Sequence, residues 1–355
     1  MCMAALLSGA LTSCNESSFL NLSDPNHFTE SNFWKDKADA ESALAAAYSP
    51  IKGAMYGYFG AFDGWLNLNG RGDDIFTIKG EEVPMWNIAN FLNSPSTGND
   101  PYGALYSGIQ RANIVLRYID QVPASGITEE DRSMIKGEAL FLRGYQYFLL
   151  VNNYKEVPLR LIPSNEDETN KGPASEAALW TQVEEDLGNA ITCNLPVERT
   201  TAKERVTKGA AIAMLGKVYA TQHRYPEAKQ LLGTLLKAPY SYELIDNFGK
   251  NFTNEDEFNK ESVYEIAYSP DGEYSWSNES GICLGCYIPQ FTGPVKSGGW
   301  AKLMPNSFIV GEFTRETRPN DADTKFDRRM YASLFFDAAN YGDKVPNEKW
   351  YGNNY

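Results

Sequence analysis

The densest apolar pattern in the chain runs from Ile135 to Leu159, IKGEALFLRGYQYFLLVNNYKEVPL. Ile135, Ala139, Leu142, Gln146 and Leu149 fall at helical spacing, and Leu140, Phe141, Tyr145, Tyr147 and Phe148 add large side chains around the rest. A helix apolar on most of its circumference has to be wrapped by neighbours. Thr128-x-x-Asp131 reads as the capping box that opens it. The Asn152-Asn153 pair and Pro158 mark its end, because proline cannot continue the ladder and restricts the residue before it.

Other stretches carry the same period. Ala38, Ala40, Ala43, Leu44, Ala47, Tyr48 and Ile51 predict a helix from Phe33 to Ile51. Asp100 and Pro101 restart a helix as cap and first-turn residue, with Leu105, Ile109, Ala112, Leu116 and Ile119 on one face. Another follows Ser175, with Leu179, Val183, Leu187 and Ile191 spaced by four. Val206 to Gln222 and Tyr225 to Lys237 form a pair joined by a tight turn. Within that pair Leu215-Gly216-x-x-Tyr219, Ala228 and Leu232 match a tetratricopeptide repeat, and Gly144-x-x-Tyr147 is a second partial match. The small residue lets a partner helix approach closely.

Two regions break the period. Residues 56–99 hold Gly57, Gly60, Gly64, Gly70, Gly72, Gly80 and Gly98 among aromatics and asparagines, a loop composition. Residues 240–355 are rich in Gly, Pro, Asn and aromatics, with a short strand predicted at Ser262–Tyr268. The fold class is mainly α: a helical-hairpin, tetratricopeptide-like scaffold over about 31–55 and 100–240, with long loop insertions and few short strands.

Composition narrows the function. The net charge of −14 argues against duplex nucleic acid as a partner. The 21 tyrosines, 18 phenylalanines and 7 tryptophans reach 13% of the chain, more than a core needs, so the surplus in loops is assigned to binding. Five scattered cysteines make no disulfide scaffold. Cys283-x-x-Cys286 lacks the further ligands zinc requires, and His27 and His223 have no ligand spacing, so no metal or cofactor is implied. The acidic pairs Asp73-Asp74, Glu81-Glu82 and Glu184-Glu185-Asp186 leave open a hydrolase using two carboxylates, but helical acids usually form a solvated face. No serine elbow, phosphate loop or HExxH is present, and no catalytic residue is assigned.

The Ile135–Leu159 run resembles the signature helix of the SusD-like (RagB/SusD) family. Arg111-Ala112-Asn113, Glu185-Asp186-Leu187 through Leu195-Pro196, Arg205-Val206-Thr207-Lys208-Gly209-Ala210-Ala211 and Glu261-Ser262-Val263-Tyr264-Glu265 resemble further family motifs in the same order. The resemblance implies a surface lipoprotein of the outer membrane in Bacteroidota. Such a protein captures oligosaccharide without catalysis and delivers it to a TonB-dependent SusC-like transporter. It also implies that this copy is C-terminally incomplete, since family members end in a further helical hairpin. Met3 to Ala10 and the following Leu11-Thr12-Ser13-Cys14 look like a lipobox. Residues 1–13 are thus expected to be a signal peptide, Cys14 the lipidated residue, 14–30 a tether and 31–355 one domain.

A sugar site needs flat apolar faces and fixed polar groups. Residues 56–100 offer Arg71, Asp73, Trp86 and Asn90, with Trp86 and Asn90 one helical turn apart; Trp86 can equally serve as a core anchor, and Trp65 is read more as core than as binding. Tyr274, Trp276, Tyr287 and Trp300 form a second group. The expected ligand-binding set is Arg71, Asp73, Trp86, Asn90, Tyr274, Trp276 and Trp300, the two groups meeting across the scaffold. The alternatives are peptide or other nutrient cargo on the same architecture, a carbohydrate hydrolase, or a scaffold for protein partners.

Overall fold

The computed structural model describes residues 33–52, 59, 64, 69–77, 83–92, 101–164, 166–269, 285–319, 324–336, 349–350 and 353–354. Cys14, the tether, Trp65, Glu81, Glu82, Asp100, Tyr274, Trp276 and Cys283 lie outside the described residues.

The scaffold is built from α1 (Lys37–Lys52), α3 (Tyr102–Tyr118), α4 (Glu129–Tyr154), α5 (Glu176–Thr192), α6 (Lys208–Thr221) and α7 (Tyr225–Leu232), with the short α2 (Val83–Ala89) preceding α3. At 26 residues α4 is about 39 Å long at 1.5 Å per residue, and it is the hub: α1, α3, α5 and α6 all pack on it. Its buried residues, from Arg132 and Ile135 to Leu150 and Val151, point in every direction around the axis. Tyr147, Phe141, Leu142 and Ile135 are all at most 1% exposed. Burial all round is what the unbroken apolar run requires.

The helix starts follow from their caps. The Thr128 hydroxyl accepts from the Asp131 N–H at 3.1 Å, Ser175 from Ala178 at 3.3 Å and Thr207 from Ala210 at 3.1 Å. The first helix begins at Lys37 rather than Phe33, because Trp34 turns inward to stack on Tyr118, ring centroids 5.7 Å apart. Asp36 then caps it by accepting from the Asp39 N–H at 3.1 Å. In α3, Pro101 occupies the cap position and gives no side-chain cap.

The end of α4 differs from expectation. Asn152 and Asn153 stay helical, donating back to the carbonyls of Phe148 and Leu149 at 3.0 and 2.7 Å. The helix breaks at Lys155, whose φ of 66° turns the chain away, two residues before Val157 and Pro158. Likewise α7 stops at Leu232 and continues as turns instead of reaching Lys237. Residues 262–268 form no strand; the segment packs as irregular backbone on α4, with Tyr264 edge-on to Phe141 at 5.3 Å and Ile266 on the core. Side-chain packing holds it where a ladder partner was expected.

The tetratricopeptide-like pairing is visible at two glycines. A Cβ on Gly216 would meet Leu232 Cδ2 at 2.4 Å, and one on Gly144 would meet Asp186 Cβ at 3.1 Å, so both helix crossings depend on the missing side chain. No described helix is long and apolar enough to cross a membrane.

Buried polar residues brace the helices. Glu138, 0% exposed, accepts from Arg199, from Arg205 and from the Tyr48 hydroxyl. Arg143 grips Asp186 with two hydrogen bonds of 2.8 and 2.6 Å and donates to Asn113 Oδ1 at 2.9 Å. The Asn113 amide passes the connection on to the carbonyls of Arg160 and Ile162. Charges this deep survive only when paired and hydrogen-bonded.

Candidate functional site

A small satellite sits apart from the helical core and is assembled from the two loop regions. Strand β1 (Ile75–Thr77) pairs antiparallel with β2 (Leu303–Pro305), Phe76 opposite Met304. The alternation is legible in burial: Ile75 is half-buried, Phe76 exposed and Thr77 buried. Beneath the ribbon lie Met85 from α2, Phe291 from α8 (Ile288–Thr292) and Leu303, with Ile75, Tyr287, Ile288 and Trp300 packed around them. Asn306 ties the edges together. Its N–H donates to the Asp74 carbonyl at 3.0 Å and its amide to the Asp73 carbonyl, while its Oδ1 caps α9 (Ser307–Thr314) through Phe308 and Ile309.

Trp300 is half-buried and stacks on Tyr287, centroids 6.4 Å apart and planes 19° from parallel. The edge contact to Phe291 at 6.2 Å and the backbone bond to the Gln290 carbonyl at 2.8 Å fix its position. Trp86 is half-buried on α2 next to Met85, which carries the anchoring contact. Asn90 is exposed, and its amide nitrogen donates to the Trp86 carbonyl at 2.7 Å, so that group is spent on closing its own helix. Asp73 is exposed.

Arg71 connects this satellite to the scaffold, donating to Asn153 Oδ1 at 3.1 Å in the last turn of α4. Around that turn lies a tyrosine group that sequence reading left inside the core helices: Tyr102 contacts Tyr106 at 4.8 Å and Tyr154 at 5.2 Å. The Arg160 guanidinium sits 5.0 Å over the Tyr106 ring. Burial and the neighbouring Tyr102 hold the Tyr106 phenol well above its ordinary range, so it stays a donor, bound to the Pro158 carbonyl at 2.6 Å. The structure thus brings Arg71, Asp73 and the elements carrying Trp86 and Trp300 into one satellite. Phe76 and Asn306 belong there too but carried no motif by which to find them.

Two acids of the Glu184-Glu185-Asp186 run are structural groups. Glu184 accepts twice from Arg224 at 2.8 Å, and Asp186 is held by Arg143 and Gln182.

Comparison with known proteins fits this architecture. A family model described as SusD-like, starch-binding associating with outer membrane, matches residues 74–220, and a SusD family model matches 260–355. The chain belongs to the SusD-like family. A SusD-like protein of Formosa agariphila is 24% identical over 329 residues, spanning 84% of this chain and 61% of its own. A crystal structure of a SusD superfamily protein from Bacteroides vulgatus superposes with a TM-score of 0.70 at 29% identity, over 84% of this chain and 61% of that one. A laminarin-binding SusD-like protein does so with a TM-score of 0.70 at 28% identity, over 78% and 63%. The chain therefore spans about three fifths of the length of these SusD-like relatives.

The motifs that carry the SusD-like resemblance turn out to be the braces of the scaffold. Glu138 and Arg143 come from the signature helix, Asn113 from the Arg-Ala-Asn motif, Asp186 from Glu-Asp-Leu and Arg205 from the start of the Lys-Gly-Ala-Ala segment. They mark the fold, and the candidate ligand surface is built from other residues.

Proposed function

We propose that this SusD-like chain captures glycan non-catalytically at the outer membrane surface, tethered by lipid at Cys14, and delivers it to a SusC-like TonB-dependent transporter. The observation that carries the reading is the satellite. A stacked Tyr287–Trp300 pair and a half-buried Trp86 are held on small, well-anchored elements of the same satellite that Arg71 and Asp73 flank. A flat aromatic face suits the C–H side of a pyranose, and fixed amides, carboxylates and guanidinium groups suit its hydroxyls. Tyr274 and Trp276 complete the proposed ligand set from outside the described residues, and Asn90 stands at its rim. The family description as starch-binding with outer-membrane association, and a 28%-identical relative described as laminarin-binding, support carbohydrate as the cargo class.

Titration calorimetry against laminarin, starch and other glucans tests the cargo. Trp86→Ala and Trp300→Ala are each expected to weaken the best ligand by about tenfold, equivalent to about 1.4 kcal/mol. Unchanged affinity in both folded variants removes the platform. Copurification with the transporter from membranes tests delivery.

A further inference from the structure

Away from the satellite, a cleft of about 290 Å³ opens between the α5–α6 connection and the segment running from Pro239 to Glu265. We propose that it is a second sugar-binding subsite, taking one or two rings of a neutral saccharide. This goes beyond the platform reading and holds whether or not the platform binds.

Three observations carry it. The first is an aromatic wall. Tyr240 and Tyr242 stack with centroids 6.1 Å apart and planes within 13°, and the Tyr242 phenol packs against Gly209 at the start of α6. Tyr264 lines the same cleft and is held against Phe141 and Tyr145. The rings are in place before any ligand arrives, which lowers the ordering cost of binding.

The second is the state of the polar lining. Glu198, Lys203 and Ser241 face the cleft with no hydrogen bond or ion pair among the described residues. They supply an acceptor, a donor and a hydroxyl that is both, the mixture a polyol uses. The lining guanidinium, Arg199, is instead tied to Glu138 at 2.7 Å and to the Val206 carbonyl at 3.0 Å. Of the remaining charged lining residues, Lys260 is spent on Glu243 at 2.6 Å and Glu265 accepts from the Phe258 N–H at 2.8 Å, so the cleft carries no positive excess to select an anionic ligand.

The third is size. Sites for drug-sized ligands begin near about 300 Å³, so this cleft suits a smaller occupant of one or two rings.

Hydrogen exchange and titration calorimetry on the full chain test it, using glucose, laminaribiose, maltose and cellobiose at millimolar concentration, with glycylglycine as a zwitterionic control. At least one saccharide is expected to protect the backbone at 239–242 and 258–265. Tyr240→Ala should weaken that binding at least tenfold and Lys203→Ala severalfold. In Trp300→Ala, which weakens the platform, the sugar-induced protection at 239–242 and 258–265 should persist, and that local readout separates this cleft from the platform. Circular dichroism should show both cleft variants folded. Protection by none of the sugars, protection by glycylglycine alone, or full affinity in both cleft variants overturns the proposal.

Discussion

Glu138 and Arg205, 67 positions apart, meet through two hydrogen bonds of 2.9 and 2.7 Å at a carboxylate with 0% exposure. Arg199 adds a third at 2.7 Å and the Tyr48 hydroxyl a fourth at 2.5 Å, so helices α1 and α4 and the connection into α6 converge on one buried anion. Removing one partner of such a group leaves its opposite charge without compensation in a medium that solvates it poorly. Glu138→Ala strips Arg199 of its carboxylate and leaves Arg205 only Glu41 at 2.6 Å, and is expected to cost about 3–5 kcal/mol in urea unfolding. The exposed pair Lys155–Glu176, 3.0 Å apart, is the control: Lys155→Ala should cost less than about 1 kcal/mol. Equal losses in the two variants contradict the bracing role.

Two glycines in adjacent helices should respond in opposite directions. At Gly216 a Cβ would sit 2.4 Å from Leu232 Cδ2 and 2.5 Å from its Cγ, so Gly216→Ala must displace that side chain from the α6–α7 crossing and is expected to destabilise by about 1–3 kcal/mol. At Gly188, inside α5, a Cβ would find nothing within 4 Å. Gly188→Ala removes backbone freedom from the unfolded chain and should stabilise by about 0.5–1 kcal/mol. Thermal or urea unfolding of the two single variants reads both signs.

These contrasts show what the sequence discloses and why. Apolar positions at three and four report a buried helix directly, and side-chain caps at Thr128, Ser175 and Thr207 report its start, because both are local properties. The mainly helical scaffold was legible on those grounds. The end of α4 was not, since Asn152 and Asn153 bond back along the helix and the break falls on Lys155, a residue with no preference for positive φ. Nor was the buried network, whose partners lie 30 to 90 residues apart and have no sequence period. At the satellite, the aromatics were recognised as candidates by composition. Which of them stack, and that Asn306 and Phe76 join them, depends on a pairing between residues 75–77 and 303–305 that no local pattern encodes.

The satellite has its own small core, so its order should be separable from that of the scaffold. Phe291 is 0% exposed and touches Trp300, while Met85 and Leu303 close the same cluster. Phe291→Ala is expected to cost the satellite about 3–5 kcal/mol, the usual loss for a buried phenylalanine. Helical content and the urea midpoint of the scaffold should change little, because α1 and α3–α6 share a different core. Hydrogen exchange at 75–77 and 288–305 should accelerate, and glycan affinity should fall with it. A variant whose scaffold unfolds together with the satellite would show that the two form one cooperative unit.

Acid stability should carry the mark of Asp131. Its carboxylate accepts from Lys37 Nζ at 2.8 Å and from the Thr128 hydroxyl at 2.9 Å, in the first turn of α4 where the helix dipole favours an anion. The Lys37 hydrogen bond, helped by Thr128, outweighs partial burial and holds this group below the usual aspartate value. The unfolded chain therefore takes up its proton first as pH falls. The stabilisation is complete above about pH 5 and is lost as pH drops from the unfolded value of about 3.9 through the lowered folded one. Both side chains keep contact with solvent, 23% for Asp131 and 47% for Lys37, so the effect should stay within about 1 kcal/mol and shrink in high salt. Urea midpoints of the wild type and Asp131→Asn should differ by a constant amount above pH 5 and converge below pH 4. A gap that widens toward acid would mean that the carboxylate is a burden the fold tolerates, and that the cap alone holds the start of α4.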